Sequence, residues 1–416
     1  MKRFTRLLAL CLVGVLALSC FGCTGKKPSA PNKASLPAIT AADMKIGVLC
    51  TDNATANGQA YFHKVGIEDA AQALSLKEEQ ILYKYNITDV AFDAQGKLTT
   101  TTTTTAPNES TTAKTDKTTT AKATEPESFT DDEGNIIIVA TPIQPKPAET
   151  AVEAVADLLD KGCNILIATD AVYDDFTAWL ATQYKDLIIL QYNGTHTDLD
   201  NVQAYSVNLY EAFYMAGAVA GAVGAKNIGF VAGVKNKESV QNINAFALGC
   251  AKYNKDAKVN VRYTGVALDL SLERTIPETM LTKDKCDLIA QSVFTALPQA
   301  VASNQNNEYK ADPIPCIGFG YDMLADGGKQ SVCSVVYNFG VYFEKALTAL
   351  KDGVFETTAY VGGVTDGVVG LSELHTKNTK AAQAQSATAK AFADGTDIFD
   401  GFTAAKGGYA ANVTVK

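Results

Sequence analysis

Short, unbroken apolar runs recur along this chain, and most are followed by a stretch with helical spacing. Residues 45–50, centred on Ile46, Val48 and Leu49, read as a buried strand, and 61–74 as the helix behind it. Further strands are expected at 80–85, 164–168, 187–191, 227–232, 258–263, 288–291, 315–319 and 332–336. Helices are expected at 151–161, 171–183, 210–224, 239–253 and 340–351. Strands that are apolar throughout are buried on both faces, as in parallel sheets covered by helices. Two such series in succession predict an α/β protein with two doubly wound lobes. Beyond about Lys377 the chain turns to Ala, Lys, Thr and Gly, and the pattern defines no element there.

Composition is consistent with this. Of 416 residues, 47% are hydrophobic. Setting aside the N-terminus and a threonine-rich stretch leaves roughly 340, enough for two domains of ~100–200 residues. The formal net charge of −9 offers no basic face for nucleic acid. Cys50, Cys163, Cys250, Cys286, Cys316 and Cys333 stand singly, most of them in apolar runs, which suits buried free thiols better than disulfides. The three histidines, His63, His196 and His375, have no ligand partner at helical spacing, so no metal and no cofactor is expected. Gly217, Gly221 and Gly224 lack the Gly-x-Gly-x-x-Gly spacing and precede a strand, so they read as close helix packing.

The N-terminus carries Lys2, Arg3 and Arg6, then 13 apolar residues from Leu7 to Ser19. That run is too short to cross a hydrocarbon core of ~30 Å, and the pattern is that of an export signal. Cys23 follows Gly22 and opens a polar linker; Cys20 follows Ser19 and is the alternative. The segment resembles a bacterial lipoprotein signal. This implies a signal at 1–23, a linker at 24–43, and a protein lipid-anchored at Cys23 (or Cys20) on the extracytoplasmic face of the cell membrane.

Residues 99–128 are Thr, Ala, Lys, Glu and Pro repeats after a threonine homopolymer. Such a composition cannot bury enough apolar surface to order itself and is expected to be disordered. Its flanks, 93–98 and 131–136, echo each other and suggest the arms of a hairpin.

Several motifs follow in order: Asn201-Val202-Gln203-Ala204-Tyr205, Tyr210-Glu211-Ala212-Phe213-Tyr214-Met215-Ala216-Gly217 and Asn227-Ile228-Gly229-Phe230-Val231-Ala232-Gly233. Ile317-Gly318-Phe319-Gly320-Tyr321-Asp322-Met323, Ser334-Val335-Val336-Tyr337-Asn338-Phe339-Gly340 and Gly362-Gly363-Val364-Thr365-Asp366-Gly367 come later. Together they resemble the basic membrane protein family, lipoprotein substrate-binding subunits of ABC importers, many of which bind purine nucleosides or bases. The resemblance runs from Lys45 to Leu374, the insertion excepted. It implies the type I periplasmic-binding-protein fold, with three crossing segments between the lobes. Lobe 1 is expected at 44–207 plus 335–355, and lobe 2 at 208–334 plus 356–416.

In open parallel sheets ligands sit beyond the carboxyl ends of the strands. The candidate ligand contacts are therefore Asn53, Gln59, Tyr61, Thr169, Asp170, Tyr210, Phe294, Tyr321, Asp322 and Asn338, with Asp52, Asn57, Gly58, His63, Tyr173, Ser292, Tyr337 and Phe339 beside them. One branch of the family has a Gly-Trp-x-Tyr-x-His pattern; here Gly58, Tyr61 and His63 match it and Gln59 replaces the tryptophan. Gly320 stands where nucleoside-binding members often carry an aspartate. A purine needs a flat apolar slot with a few polar groups on its edge, which aromatic rings with Asn, Gln and Asp supply. No nucleophile, base or metal set suggests catalysis, so the chain is expected to bind without turnover. The leading expectation is capture of a nucleoside or purine for an ABC permease. The alternatives are a sugar ligand on the same fold, or a surface sensor or adhesion lipoprotein.

Overall fold

The computed structural model describes residues 35–55, 58–90, 128–130, 136–138 and 149–416. In chain order the first half holds β1 (Ile46–Leu49), α1 (Gln59–Ala73), β2 (Ile81–Lys84), β3 (Ser128–Thr130), β4 (Ile136–Ile138), α2 (Ala151–Asp160), β5 (Ile165–Ala168), α3 (Asp174–Gln183), β6 (Ile188–Tyr192) and β7 (Val202–Val207). The second half continues with α4 (Leu209–Ala222), β8 (Asn227–Ala232), α5 (Lys237–Tyr253), β9 (Lys258–Tyr263), α6 (Leu270–Thr282), β10 (Leu288–Gln291), α7 (Leu297–Ser303), β11 (Cys316–Gly320), α8 (Leu324–Gly327) and β12 (Ser331–Tyr337). Then follow α9 (Phe339–Asp352), β13 (Tyr360–Gly362), β14 (Val369–Leu371), α10 (Thr379–Ala393) and β15 (Val413–Val415).

All the strands except β3 and β4, which pair separately, form two sheets. One has the order β13-β7-β6-β5-β1-β2 and the other β14-β12-β11-β10-β8-β9-β15. Within these two sheets every pairing is parallel except that of β14, which runs antiparallel to β12. The central strands β1, β5 and β10 are buried at every residue, as their unbroken apolar sequences require. Each sheet is a lobe with its own core: Ile46, Val48, Ile165, Ile167 and Leu190 in lobe 1, Ile228, Phe230, Val259, Leu288 and Ile317 in lobe 2.

The chain crosses between lobes three times: after β7, after β12 and after β13. The second crossing falls at Asn338, because β12 stays in the lobe 2 sheet through Tyr337, and not at 335. The third falls after Gly362, because β13 pairs with β7 of lobe 1, and not at 356. The crossings are tied together. The Asn208 amide donates to the Gly362 carbonyl (2.7 Å), and Glu211 accepts from the Val364 amide (2.9 Å) and the Asn208 side chain (3.0 Å). The Asn338 amide donates to the Val368 carbonyl (2.8 Å).

Close helix packing follows the small residues. A Cβ on Gly217 would stand 2.0 Å from the Phe246 carbonyl oxygen, and one on Gly221 2.5 Å from that of Cys250, so α4 and α5 touch along their backbones. Gly224 differs: it adopts φ +95° just past the helix end, with open space around it. At the N-terminal side, the Leu36 and Ile39 amides donate to the carbonyls of Phe355 (2.9 Å) and Leu350 (3.0 Å), pinning this segment to the far end of α9.

The insertion enters between β2 and α2, and a parallel bridge between Asp89 and Thr150 pinches its base. The short hairpin inside it pairs β3 with β4, with Thr130 opposite Ile136; the expected arms, Ile136 apart, lie outside the described residues. Residues 93–98, and 99–128 apart from Ser128, lie outside the described residues, as do Cys20, Cys23 and Asn57.

Candidate functional site

The carboxyl ends of the two sheets face each other, Phe62 behind β1 packing on Phe294 behind β10 and on Tyr337 at the end of β12, and a ligand cleft of this architecture lies between such ends. On the lobe 1 wall, the Asp52 carboxylate accepts from the Ala54 amide (2.6 Å) and the Ala60 amide (3.2 Å), fastening the loop after β1 to the start of α1. This holds Gln59, Tyr61 and Phe62 at the head of that helix. The Gln59 Nε2 is buried with no hydrogen-bond partner among the described residues. Tyr61 stands half-buried and edge-on to Phe62 (5.4 Å, 81°). Asp170 caps the turn after β5 by accepting from the Val172 amide (2.9 Å), and its half-buried carboxylate also takes the Thr51 hydroxyl (3.4 Å).

On the lobe 2 wall, the loop after β10 carries Phe294, which packs on Phe62 (5.4 Å) and Phe319 (5.1 Å). Tyr321, after β11, donates to Asp326 (3.4 Å); burial, then the Asp326 carboxylate, push its hydroxyl up to about 12. The Tyr61 hydroxyl adds least to that upward push.

Each wall rests on a buried glutamine. Gln191, at the end of β6, donates to the carbonyls of Asp170 (2.8 Å) and Tyr192 (2.7 Å) and accepts from Thr177 (2.9 Å). Gln291, at the end of β10, donates to the carbonyls of Val293 and Thr295, both at 2.7 Å, and accepts from Gln299 (2.7 Å). The Thr295 hydroxyl in turn bonds Glu273 at 2.5 Å, a buried carboxyl that burial pushes up. Buried polar groups must be paired, so these glutamines fix the loop carbonyls in one arrangement.

The other sequence candidates are engaged elsewhere. Asn53 is exposed and accepts from Thr55 (3.1 Å). Thr169 is buried and donates to the Leu49 carbonyl (2.8 Å). Tyr210 packs on Phe399 of the C-terminal segment (5.4 Å). Asp322 is exposed, caps the Leu324 amide (3.1 Å) and pairs with His375 (3.0 Å). Asn338 is exposed and reaches the Gly367 carbonyl (3.2 Å) at the crossings. His63 is fully buried and stacks on Phe339 at 4.0 Å. Its Nδ1 lies 3.3 Å from the Gln59 carbonyl, and burial lowers its pKa to about 3.

Sequence reasoning missed Phe62, Tyr192 and Glu238. Glu238 lies in the first turn of α5 and keeps solvent access, yet desolvation raises its carboxyl. Burial first, and then the Glu238 charge, push up the Tyr192 hydroxyl of lobe 1. Local pattern gives no signal for it, since Glu238 lies inside α5 and not in the loop directly after β8.

One cluster has the chemistry of cation ligands, Asp174, Asp175 and His196. The Asp174 carboxylate already accepts from the Thr195 amide (3.0 Å) and hydroxyl (2.6 Å). His196 donates to Asp175 (2.9 Å), which raises its pKa, so the cluster is satisfied as an ion pair. An open groove of about 560 Å³ between Leu281, Lys285, Asn307 and Lys310 lies at the amino ends of β10 and β11, opposite the cleft.

Comparison with known proteins agrees with this architecture. A curated protein of Haloferax volcanii, named provisionally as a glucose-binding protein of an ABC transporter, is 28% identical over 211 residues, 50% of this chain and 52% of that protein. A purine-binding protein of Brucella abortus is 26% identical over 212 residues, 51% of this chain and 58% of that protein. The chain thus spans about half the length of the curated relatives it matches. Among solved structures, a solute-binding protein of an ABC transporter system from Conexibacter woesei superposes with a TM-score of 0.60 at 13% identity, over 85% of this chain and 97% of that one. That likeness shows the type I periplasmic-binding-protein fold. The family model for PnrA-like ABC transporter substrate-binding proteins matches residues 114–392, about two thirds of the sequence. The chain therefore belongs to the PnrA-like family of ABC transporter substrate-binding proteins, whose members bind solutes and are not enzymes.

Proposed function

We propose that this protein is an extracytoplasmic lipoprotein that captures a nucleoside or purine-like small molecule and delivers it to an ABC importer. The observation that carries the ligand class is the composition of the cleft. Tyr61 stands edge-on to Phe62 and Phe62 packs on Phe294 of the other lobe, each at 5.4 Å, while the Gln59 Nε2 on the same helix head is buried with no hydrogen-bond partner among the described residues and Tyr321 follows β11 on the lobe 2 wall. Aromatic faces grip a flat ring, and the Gln59 amide, with the Asp170 carboxylate of the lobe 1 wall, can read ring nitrogens or ribose hydroxyls. The Brucella relative's purine-binding name points the same way. Anchoring through Cys23, or Cys20, rests on the lipoprotein-like N-terminus.

A sugar is the second reading, favoured by the Asp170 carboxylate, which suits hydroxyls, and by the glucose assignment in the Haloferax relative's name. Thermal unfolding of the body from Lys26 onward, with purine bases, nucleosides, pentoses, hexoses and amino acids, decides between them. A ligand at 100 times its dissociation constant adds ~2.7 kcal/mol. A shift of a few degrees with adenosine, guanosine or a free purine is the expected result. A shift with sugars alone would replace the purine reading, and no shift with any compound would withdraw both.

A further inference from the structure

Phe62 belongs to lobe 1 but is buried by lobe 2. Its helix, α1, packs within lobe 1 so tightly that a Cβ on Gly66 would meet the Gly340 amide nitrogen of α9 at 2.6 Å. Phe62 stands one turn earlier on that same face, and its ring reaches past the start of α9 to lobe 2. It is 5% exposed and lies 5.4 Å from Phe294 and 5.2 Å from Tyr337, both at strand ends of the lobe 2 sheet. Gly320, the last residue of β11, receives it. A Cβ there would stand 2.5 Å from the Phe62 Cζ and 3.1 and 3.3 Å from two further ring carbons. Phe319 packs against Phe294 and Tyr337 at 5.1 and 5.7 Å, so the socket has aromatic walls and a glycine floor. Gly320 also holds φ +95°, a backbone that glycine adopts readily.

We propose that Phe62 is a latch, and that its seating over Gly320 sets how far the two lobes close and thereby how tightly the cleft holds its solute. The inference rests on the solute-capture reading and adds two specificity-determining residues to it. The physical argument is short. α1 and β11 belong to different lobes, so this contact exists only when the lobes are together. Opening returns the Phe62 ring and part of Phe294 to water, which the hydrophobic effect opposes. The unliganded protein is therefore biased toward the closed arrangement, and a solute meets a larger binding-competent fraction. A side chain at 320 would stand where the ring sits and hold the lobes apart.

Two measurements test this on the protein body, and the first needs no ligand. Small-angle X-ray scattering of the unliganded protein should give a larger radius of gyration for Phe62→Ala and for Gly320→Ala than for the parent. The double variant should match Phe62→Ala alone, because without the ring the new methyl has nothing to displace. Phe62→Leu, which keeps most of the volume, guards against loss of fold and should lie between parent and Phe62→Ala. In the second measurement adenosine serves as the probe, and calorimetry should show at least a tenfold loss of affinity in Phe62→Ala. Scattering identical to the parent in both single variants would overturn the latch, and so would effects that simply add in the double variant. Failure of adenosine to bind the parent would count against the purine reading alone, with the scattering result still deciding the latch.

Discussion

His63 shows how much a single side chain can commit a fold to one range of pH. Packed among Phe339, Tyr192 and Tyr205, it is held neutral, with its pKa lowered from 6.5 to about 3 by burial. Its Nε2 has no partner among the described residues. The unfolded chain binds this proton at a higher pH than the folded one. The contribution is therefore fully present above pH 6.5 and lost as pH falls toward 3, with a slope of at most ~1.4 kcal/mol per pH unit. His63→Phe removes the titrating group while keeping an aromatic ring. Urea unfolding at pH 7, 5.5 and 4.5 should show a stability difference between parent and variant that shifts in favour of the variant on acidification. A difference independent of pH would refute the assignment. At this scale the sequence pointed to Tyr61, Phe294 and Tyr321 as candidates, because a position just after a strand follows from local pattern. Phe62 stayed hidden because the helix face that turns toward the other lobe is settled by tertiary packing. The same limit separated Asp322, taken by His375 and the Leu324 amide, from the cleft.

At the scale of elements, apolar strands such as β1, β5 and β10 were legible because burial on both faces leaves no polar interruption. β7 was not, since Gln203 and Ser206 break its run; Gln203 is buried only because it donates to the carbonyls of Glu356 (2.8 Å) and Thr358 (3.0 Å). β13, β14 and β15 are three residues each and lie at sheet edges. α10 is rich in Ala and Lys and buries only Ala381, Ala384 and Thr388. The loop after β10 makes a sharper prediction. Gln291→Met keeps the volume but leaves the Val293 and Thr295 carbonyls without their donor, a cost of ~1–3 kcal/mol for buried groups. Hydrogen exchange should accelerate at 292–296, and affinity for the compound that shifts the parent most should fall. Faster exchange spread evenly over lobe 2 would instead indicate general destabilisation.

For the whole molecule, the crossings decide how the lobes move. Glu211 holds the first crossing to the third through the Asn208 side chain and the Val364 amide. Glu211→Ala frees both and should cost ~1.5–3 kcal/mol, the range for hydrogen bonds to a charged group. At ~2–4 °C per kcal/mol for a domain of 150–250 residues, the midpoint should drop by several degrees. Exchange at Val364 should rise with it, and an unchanged midpoint would show that the tie is dispensable.

The pinned segment at Leu36 and Ile39 makes the two lobes mechanically unequal. It is fastened to the far end of α9 and to Phe355, so a pull on the preceding chain is borne by lobe 1. Lobe 2 hangs from that body by three short straps. If the N-terminus is held fast, lobe 1 is the stator and lobe 2 the rotor, and every opening stroke is a swing of lobe 2 alone.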